Sequence, residues 1–266
     1  MKKLFYFLIF VFVAILFNSC EESWQPLFNG ENLDGWDTYV GPKEKNGEPI
    51  GLNKDPLTLF SVVELDGEKV IRISGEINAS LATKEEFENY HIMVELKWGD
   101  EVFSTYNSGL LYHSYGNFGV GLGVWMSSHE LQLKTGNMGD SYRMGKSYCE
   151  IPMAKNPEGK YVYSKDAEIL PSIPDTETRV IGKNGDYEKP HGEWNTIELY
   201  CFGGTSVHVV NGNVNMVNYN SSKYFGEGNI EPLTKGKIQF QSEGGELFIK
   251  TIQIKPIKEI PAELLQ

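Results

Sequence analysis

A carboxyl group and an amide alternate with leucines in one short segment of the sequence. Glu130 and Gln132 alternate with Leu131 and Leu133, so a strand here would carry the polar pair on one face and the leucines on the other. A carboxyl group can transfer protons, and an amide can hydrogen-bond to hydroxyl groups. The segment therefore predicts a site for a ligand that is rich in hydroxyl groups.

An imidazole occupies a comparable position in a second segment. Asn107, Gly109, Leu111 and His113 lie at alternate positions, which places them on one face of a predicted strand. Glycine, asparagine and tryptophan residues flank both segments densely. We therefore expect Glu130 and His113 to face one cavity on the outside of the sheet.

Further polar and aromatic residues occur in or near other strand-like segments. If one outer face of the protein is concave, they could line it together, with polar groups for sugar hydroxyls and aromatic rings for C–H faces. These candidates are Trp125, Asp140, His208, Gln239 and Lys250. The alternative for each is an ordinary solvated position on the outer face of an antiparallel strand.

The short motifs of familiar hydrolases are missing from the sequence. It has no serine nucleophile elbow, no glycine-rich phosphate loop and no HExxH zinc motif. A conventional glycosidase needs two carboxyl groups roughly 5–10 Å apart. Asp140 or Glu95 would have to accompany Glu130 in that role, and no motif pairs two carboxyl groups on one strand face. This weighs against the conventional mechanism.

Strands are the elements that would position these residues. Apolar and polar residues alternate in many short segments separated by glycine- and asparagine-rich turns, and helical periodicity is almost absent. This pattern predicts an all-β fold, a β-sandwich or jelly roll. The predicted strands include residues 69–74, 89–98, 109–114, 129–133, 194–201, 207–211, 237–241 and 246–254.

Three segments are predicted to depart from this pattern. Residues 39–56 are expected to form a surface loop, and residues 84–88 one helical turn. Residues 150–193 are rich in proline and charge, and they are longer than an unstructured loop of a compact domain should be. We expect this excursion to pack over one end of the sandwich and to shape a binding site.

The composition limits what the protein can bind. The 266 residues carry 24 Lys and Arg against 36 Asp and Glu, a formal net charge of −12. Nucleic acids and anionic lipid surfaces require basic patches, so the acidic balance argues against both and favours a neutral ligand. We predict no obligatory metal or other cofactor, because no Cys/His spacing typical of a metal site is present.

The N-terminal segment predicts export. Two lysines precede an unbroken apolar run over residues 4–17, and Ser19 and Cys20 follow. The pattern resembles a bacterial lipoprotein signal, in which residues 1–19 are removed and Cys20 is lipidated. The lipid would be the only contact with the membrane, on its periplasmic or cell-surface side. An ordinary signal peptide is the alternative.

The rest of the chain is predicted to form one domain. Residues 20–23 would be a tether, residues 24–257 the domain and residues 258–266 a C-terminal tail. Cys149 and Cys201 would remain in an oxidising compartment, where they could pair or stay as buried thiols.

An ordered series of motifs is similar to that of the 3-keto-disaccharide hydrolase family. The motifs lie at residues 27–30, 33–36, 107–113, 125–132, 192–195, 210–212 and 236–244. The resemblance spans residues 24–256 and implies a concanavalin A-like jelly roll that is exported as a lipoprotein. It also implies cleavage of glycosides whose sugar is already oxidised to a ketone at C3.

A ketone at C3 would explain a site with one obvious carboxyl group, because it acidifies the C2 proton. A base can then form an enolate that expels the C1 oxygen, and water adds back. We hypothesise that Glu130 is the base and His113 the acid or electrophile. Asn107, Gln132 and Lys250 would donate hydrogen bonds to the sugar. The alternatives are a non-catalytic carbohydrate-binding lipoprotein and a conventional glycoside hydrolase that acts on unoxidised glycans.

Overall fold

The computed structural model describes residues 23–44 and 46–266. The predicted signal peptide and the predicted lipidation site Cys20 lie outside the described residues. A short 3-10 helix, Ala262–Leu265, follows the last strand. In chain order the strands are β1 (Gln25–Pro26), β2 (Trp36–Val40), β3 (Gly51–Leu52), β4 (Phe60–Leu65), β5 (Glu68–Ile73), β6 (Ala79–Thr83), β7 (Phe87–Glu88), β8 (Tyr90–Val102), β9 (Gly109–Tyr115), β10 (Ser127–Gln132), β11 (Ser141–Met144), β12 (Ser147–Lys155), β13 (Tyr161–Tyr163), β14 (Ile169–Ser172), β15 (Val180–Ile181), β16 (Asn195–Phe202), β17 (Thr205–Val210), β18 (Asn213–Tyr224), β19 (Ile230–Pro232), β20 (Lys235–Ser242) and β21 (Gly245–Pro256).

The strands form two sheets in which neighbours run antiparallel. The larger sheet has the order β13-β12-β18-β17-β16-β8-β21-β5-β4, and the smaller sheet has the order β15-β11-β10-β9-β20-β6-β2-β3. In the larger sheet β8 pairs with both β16 and β21, and in the smaller sheet β9 pairs with both β10 and β20. The prediction of an all-β protein built from two sheets is confirmed.

The main core lies between the sheets and follows the alternation of the strands. Ile92, Val94 and Leu96 of β8 are completely buried, and Leu110 of β9 and Phe240 of β20 belong to the same core from the smaller sheet. Complete burial of such a side chain contributes roughly 1.5–3 kcal/mol to folding. The large gain per residue explains why the alternation of apolar residues identifies the buried face of β8 correctly.

The smaller sheet is also covered on its outer face. Leu111 of β9, Met144 of β11 and Trp125 form a separate apolar cluster there. Tyr39 of β2 packs against this outer cluster and stacks on Phe118, with ring centroids 4.9 Å apart. Because water is largely excluded, electrostatic interactions between charged groups on this face are stronger than in water. An unpaired polar atom there lowers the stability of the fold.

The excursion over residues 150–193 contains short strands that extend both sheets. β14 pairs with β12 and β15 pairs with β11, at the same end of the sandwich. An isolated bridge between Val162 and Gly182 joins the two sheet edges. Prolines and charged residues interrupt the alternation in this segment, so the sequence pattern does not predict these strands.

Two local predictions are wrong. Residues 84–88 contain no helical turn, because β7 pairs with the beginning of β20. Residues 39–56 are not entirely a loop, because β3 pairs with the end of β2.

Beyond β21, Ile260 is 8% exposed and packs into an apolar cluster beside the excursion. None of the helices within residues 23–44 and 46–266 has the length and apolar character that crossing a membrane requires.

Candidate active site

Glu130 lies on the outer face of the smaller sheet. β10 pairs Glu130 with Leu111 of β9, whose side chain belongs to the outer apolar cluster. The intervening residues Leu131 and Leu133 point into the main core. The predicted separation of Glu130 and Gln132 from the two leucines is therefore confirmed.

Gly109 leaves room for the ends of two neighbouring side chains, which occupy the space that a Cβ atom would take. A Cβ atom on Gly109 would lie 2.5 Å from Oε1 of Glu130 and 2.8 Å from its Cδ, and it would also overlap Oε1 of Gln241. The carboxyl group of β10 and the amide of β20 thus approach each other over the bare backbone of β9. Space requires glycine here, because the φ of Gly109 is not in the left-handed region.

Buried amide atoms of Gln241, beside Gly109, and of Asn107, two residues before it, lack hydrogen-bond partners among residues 23–44 and 46–266. Gln241 is 1% exposed, yet neither Oε1 nor Nε2 has a partner among residues 23–44 and 46–266, and the same holds for the buried Oδ1 of Asn107. Leaving a buried polar atom unpaired costs roughly 1–3 kcal/mol. A ligand with hydroxyl or carbonyl groups would remove this cost, so these atoms indicate a binding site.

A second carboxyl group, that of Glu243, lies on the same face. Glu243 comes two residues after Gln241, so continued alternation past the end of β20 turns both side chains outward. Burial raises the pKa of Glu130 well above its ordinary value, and the nearby charge of Glu243 raises it further. Burial also raises the pKa of Tyr142 on β11 to about 12, and both glutamates add to this effect. These three residues are therefore neighbours.

The two glutamates differ in depth. Glu130 is 2% exposed, whereas Glu243 is partly exposed. Burial raises the pKa of Glu243 from 4.5 to about 7, although the ammonium group of Lys134 opposes the rise. The deeper burial of Glu130 disfavours its ionised form more strongly than the shallower burial of Glu243 does.

Arg179 brings a positive charge from the excursion to this face. Its guanidinium carbon lies 4.6 Å from the centroid of the Tyr142 ring, and its Nε donates a hydrogen bond of 3.3 Å to the backbone oxygen of Arg143. Burial dominates the raised pKa of Glu130, and the charge of Arg179 opposes it. A guanidinium group in this position could stabilise negative charge that develops on a ligand oxygen.

His113 does not share this face, so the prediction that it faces the same cavity as Glu130 is wrong. The backbone of His113 has a φ of +49°, and the ladder between β9 and β20 shifts register beside it. The imidazole turns inward, against the rings of Tyr90 and Tyr112. Burial there lowers the pKa of His113 to about 4. The ring is therefore neutral and separated from Glu130 by the sheet.

His208 also lies inside the sandwich, contrary to the prediction that it lines the outer cavity. Its Nε2 is 3.0 Å from the hydroxyl of Tyr112 and 3.3 Å from Nδ2 of Asn218. Because Asn218 Nδ2 can only donate, Nε2 accepts, and the ring proton on Nδ1 faces the backbone oxygen of Gly139 at 3.4 Å. Burial lowers the pKa of His208 to about 3, so this histidine is a neutral structural group.

Arg143 is a completely buried cation behind the site. Its Nη1 donates to Nδ1 of His129 at 2.5 Å and to Sγ of Cys149 at 2.8 Å, and its Nη2 donates to the hydroxyl of Ser141. His129 in turn donates through Nε2 to the hydroxyl of Ser221 at 2.7 Å. The guanidinium therefore has neutral partners, on the inner side of the strands that carry the candidate site.

Three other predicted residues lie on or beside the outer face in structural contacts. Gln239 accepts a hydrogen bond from Ser80 at 2.8 Å and donates one to Ser114 at 2.7 Å. Oε1 of Gln132 accepts from the backbone nitrogens of the next two residues, both at 3.0 Å. Trp125 is completely buried and donates to a backbone oxygen of β6 at 3.1 Å. Its ring therefore presents no face to a sugar.

Asp140 and Lys250 are engaged elsewhere. Asp140 accepts hydrogen bonds from the backbone nitrogen of Lys183 at 2.8 Å and from Asn137 at 2.9 Å, and it borders a cavity of about 580 Å³ beside β15. Lys250 belongs to the larger sheet and pairs with Glu95 at 3.2 Å. The predicted convergence of Lys250 with the outer face of the smaller sheet is wrong.

The described residues contain neither a metal-binding cluster nor a disulfide. Within residues 23–44 and 46–266, no three or more His, Cys, Asp or Glu side chains are grouped so that they could hold a metal ion. Cys149 and Cys201 are both free and buried. The two thiols are therefore not paired with each other.

The sequence prediction omits Gln241, Glu243 and Arg179 from the site. For the first two a signal exists, since their positions continue the alternation that begins at Gln239. Arg179 has no such signal, because it lies in a segment without periodicity and is positioned by strand pairing at the sheet edge.

The fold and the outer-face cluster define a class of protein. Two antiparallel sheets with unpaired amides and carboxyl groups on one outer face form a β-sandwich suited to a polar, hydroxyl-bearing ligand. Residues 23–255 match the family described as the 3-keto-alpha-glucoside-1,2-lyase-like domain. The chain belongs to this family.

Solved structures with similar folds include three from bacteria. One is a candidate glycosyl hydrolase from Parabacteroides distasonis, 20% identical with a TM-score of 0.50, covering 88% of this chain and 100% of that one. Another is a β-glucanase from Bacillus licheniformis, 9% identical with a TM-score of 0.43, covering 89% of this chain and 98% of that one. A third is the carbohydrate-binding module CBM66 from Bacillus subtilis, 5% identical with a TM-score of 0.44, covering 74% of this chain and 91% of that one.

A comparison with curated proteins finds no match. The family supports a carbohydrate-active function and a sugar ligand. The predicted concanavalin A-like jelly-roll sandwich and the predicted 3-keto-disaccharide hydrolase family are both confirmed.

Proposed function

We propose that the protein cleaves glycosides whose sugar has been oxidised to a ketone at C3. The carbonyl group at C3 acidifies the proton on C2, so a protein base can remove it and form an enolate. Collapse of the enolate breaks the bond between C1 and the leaving oxygen, and water then adds to C1. This sequence needs a base, an acid for the leaving oxygen and donors for the enolate oxygen.

The observation that carries this proposal is the arrangement around Gly109. A carboxyl group, that of Glu130, and the unpaired amide of Gln241 meet over a strand that contributes no side chain. The amide nitrogen can donate to a sugar oxygen, and the guanidinium of Arg179 is near enough to influence the pKa of Glu130. One donor directed at an oxyanion lowers the barrier by roughly 2.7–4 kcal/mol.

His113 has no part in the proposed reaction. Its imidazole lies on the inner face of the sheet, so it reaches neither the sugar nor the leaving oxygen. Glu130 remains a proton-transferring residue, and Asn107 remains a candidate to bind a sugar hydroxyl because its buried Oδ1 is unpaired. Gln132 contributes less, because the chain itself uses its Oε1.

The test compares a 3-keto-glucoside with the same glucoside before oxidation. We expect release of the leaving alcohol from the 3-keto compound alone, and we expect Glu130→Gln to reduce kcat by roughly 10²- to 10⁴-fold. The melting temperature of this variant should hardly change, because a similar side chain fills the same space. Unaltered turnover in Glu130→Gln would remove this residue from the mechanism.

Two other outcomes would replace the proposal. Saturable binding of the 3-keto-glucoside without release of the alcohol would identify a non-catalytic carbohydrate-binding protein. Release from the unoxidised glucoside at a similar rate would identify a conventional glycoside hydrolase.

We also propose that Cys20 carries a lipid that holds the domain at a bacterial membrane. The expected lipidation site precedes Trp24 by only four residues in the sequence, and β1 begins immediately afterwards with Gln25. Incorporation of labelled palmitate into the wild-type protein, and its loss in Cys20→Ser, is the expected result. Equal labelling of both proteins would contradict it.

A further inference from the structure

Glu130 and Glu243 reach the same part of the outer face from two strands that are not adjacent. In the smaller sheet β9 separates β10, which carries Glu130, from β20, which precedes Glu243. Gly109 of β9 places no side chain between them. A sugar bound on this face above Gly109 would therefore meet the Glu130 carboxyl group and the Gln241 amide, with Glu243 two residues further along the same chain.

The two carboxyl groups have different surroundings. Glu130 is 2% exposed, and the cost of burying its charge outweighs the attraction of Arg143 and Arg179, since its pKa stays well above the ordinary value. Glu243 is partly exposed and lies near the ammonium group of Lys134, which favours its ionised form. Neighbouring carboxyl groups repel each other when both are ionised, so a shared proton stays on the more deeply buried one.

We propose that Glu243 is the general base and Glu130 the general acid in the cleavage of the 3-keto-glycoside. This inference rests on the proposed function. It names a catalytic residue that the sequence prediction omits, and it reverses the role that the sequence prediction gives to Glu130.

The proton transfers balance over one cycle. The carboxylate of Glu243 takes the proton from C2, and the electron pair of the C2–H bond forms the enolate with the C3 carbonyl group. The enolate re-forms the C3 carbonyl and expels the C1 oxygen, which takes its proton from the carboxylic acid of Glu130. Water then adds to C1 of the resulting enone and gives a proton to the Glu130 carboxylate. Glu243 returns its proton to C2.

The unpaired amide of Gln241 supports this assignment by its position. Its Oε1 lies beside Oε1 of Glu130 above Gly109, its Nε2 has no partner among residues 23–44 and 46–266, and Glu243 follows it by two residues. A donor there is suited to the oxygen at C3, whose charge grows when the C2 proton leaves. In this proposal Glu130, Gln241 and Glu243 all act on the part of the sugar that contains C1 and C2.

The experiment separates the removal of the C2 proton from the departure of the leaving group. The full-length protein is incubated in D₂O with methyl 3-keto-glucoside and with 4-nitrophenyl 3-keto-glucoside. NMR follows exchange of the C2 proton, and the released alcohol is measured separately. The variants are Glu243→Gln and Glu130→Gln, with Glu243→Asp as the conservative change and Glu227→Gln, on an exposed turn, as the matched control.

Glu243→Gln should lose at least about 100-fold in both C2 exchange and cleavage, on both substrates. Glu130→Gln should keep C2 exchange and lose at least about 100-fold in cleavage of the methyl glycoside. It should lose far less on the nitrophenyl glycoside, whose leaving group needs no acid. Glu243→Asp should recover part of the exchange, and Glu227→Gln should behave as the wild type.

The outcomes distinguish this inference from the proposed function. Undiminished C2 exchange in Glu243→Gln, or an equal loss on both substrates in Glu130→Gln, would overturn the assignment of roles while cleavage by the wild type still stood. A wild-type protein that neither exchanges the C2 proton nor releases alcohol would overturn both. Unfolding midpoints of all variants within a few degrees of the wild type would show that each loss arises in the site.

Discussion

Gly109→Ala tests the geometry of the candidate site with one carbon atom. The new Cβ atom would lie 2.5 Å from Oε1 of Glu130, whereas ordinary contacts of a Cβ begin at 3.4 Å. The carboxyl group and the neighbouring amide of Gln241 must therefore move by about 1 Å, a displacement of catalytic groups that can cost roughly 100-fold in rate. This corresponds to about 2.7 kcal/mol in the activation barrier.

The substitution should affect activity more than folding. The φ of Gly109 suits any residue, and the contacts involve the ends of side chains rather than backbone. We expect the free energy of unfolding to fall by no more than about 1–3 kcal/mol, the usual range for overpacking. The assay is kcat/KM for a 3-keto-glucoside, together with urea unfolding followed by circular dichroism.

Gly204→Ala is the matched control. A Cβ atom on Gly204 meets its nearest neighbour, a backbone nitrogen, at 3.5 Å, and its φ is not in the left-handed region. We expect wild-type activity from this variant. If Gly109→Ala were as active as Gly204→Ala, the carboxyl group beside Gly109 would not belong to the catalytic site.

Three further predictions concern protons and thiols. Because burial raises the pKa of Glu243 to about 7 and a base must be ionised, kcat/KM should rise about tenfold per pH unit below that value and then level off. Lys134→Met, which removes the cation that lowers this pKa, should move the rise to higher pH, and an unmoved profile would argue against Glu243 as the base. Burial lowers the pKa of His113 from 6.5 to about 4, so between these pH values the unfolded chain binds a proton that the folded chain does not, and acid destabilises the protein. In urea unfolding, His113→Gln should reduce the slope of stability against pH by about 1.4 kcal/mol per pH unit in this window, and an unchanged slope would contradict burial of the neutral ring. Burial raises the pKa of Cys149 to about 11 and that of Cys201 to about 12. A Cys20→Ser variant should therefore react with Ellman's reagent only in denaturant. Fast reaction of the folded variant would show that one of the two thiols is accessible.

Alternation of side chains predicts those parts of the fold in which a strand is regular and one of its faces is apolar. Leu131 and Leu133 gain free energy only in the core, and this fixes Glu130 on the opposite face of β10. The same rule fails at His113, where the left-handed backbone and the shifted register reverse the expected direction of the side chain. No feature of residues 107–113 in the sequence marks that irregularity.

The membership of the candidate site depends on contacts between distant strands. Glu130 and Glu243 become neighbours because β10 and β20 both pair with β9, and a single sequence does not reveal which strands pair. Arg179 reaches the site through the pairing of β15 with β11. Lys250 shows the reverse error, since its alternation is as regular as that of Glu130 but its strand belongs to the other sheet.

The buried guanidinium of Arg143 helps to determine the register in which β10 pairs with its neighbours. If β10 slipped by one residue against its neighbours, all its side chains would exchange faces. His129 would no longer accept from Arg143, and Leu131 would leave the core while Glu130 entered it, so the slipped pairing would lose one hydrogen bond and buried apolar area. Misaligned pairings of β10 and β11 are therefore penalised before any ligand is present. Contacts on the inner face of the sheet therefore fix the strand register, and with it the spacing of the reactive groups on the outer face.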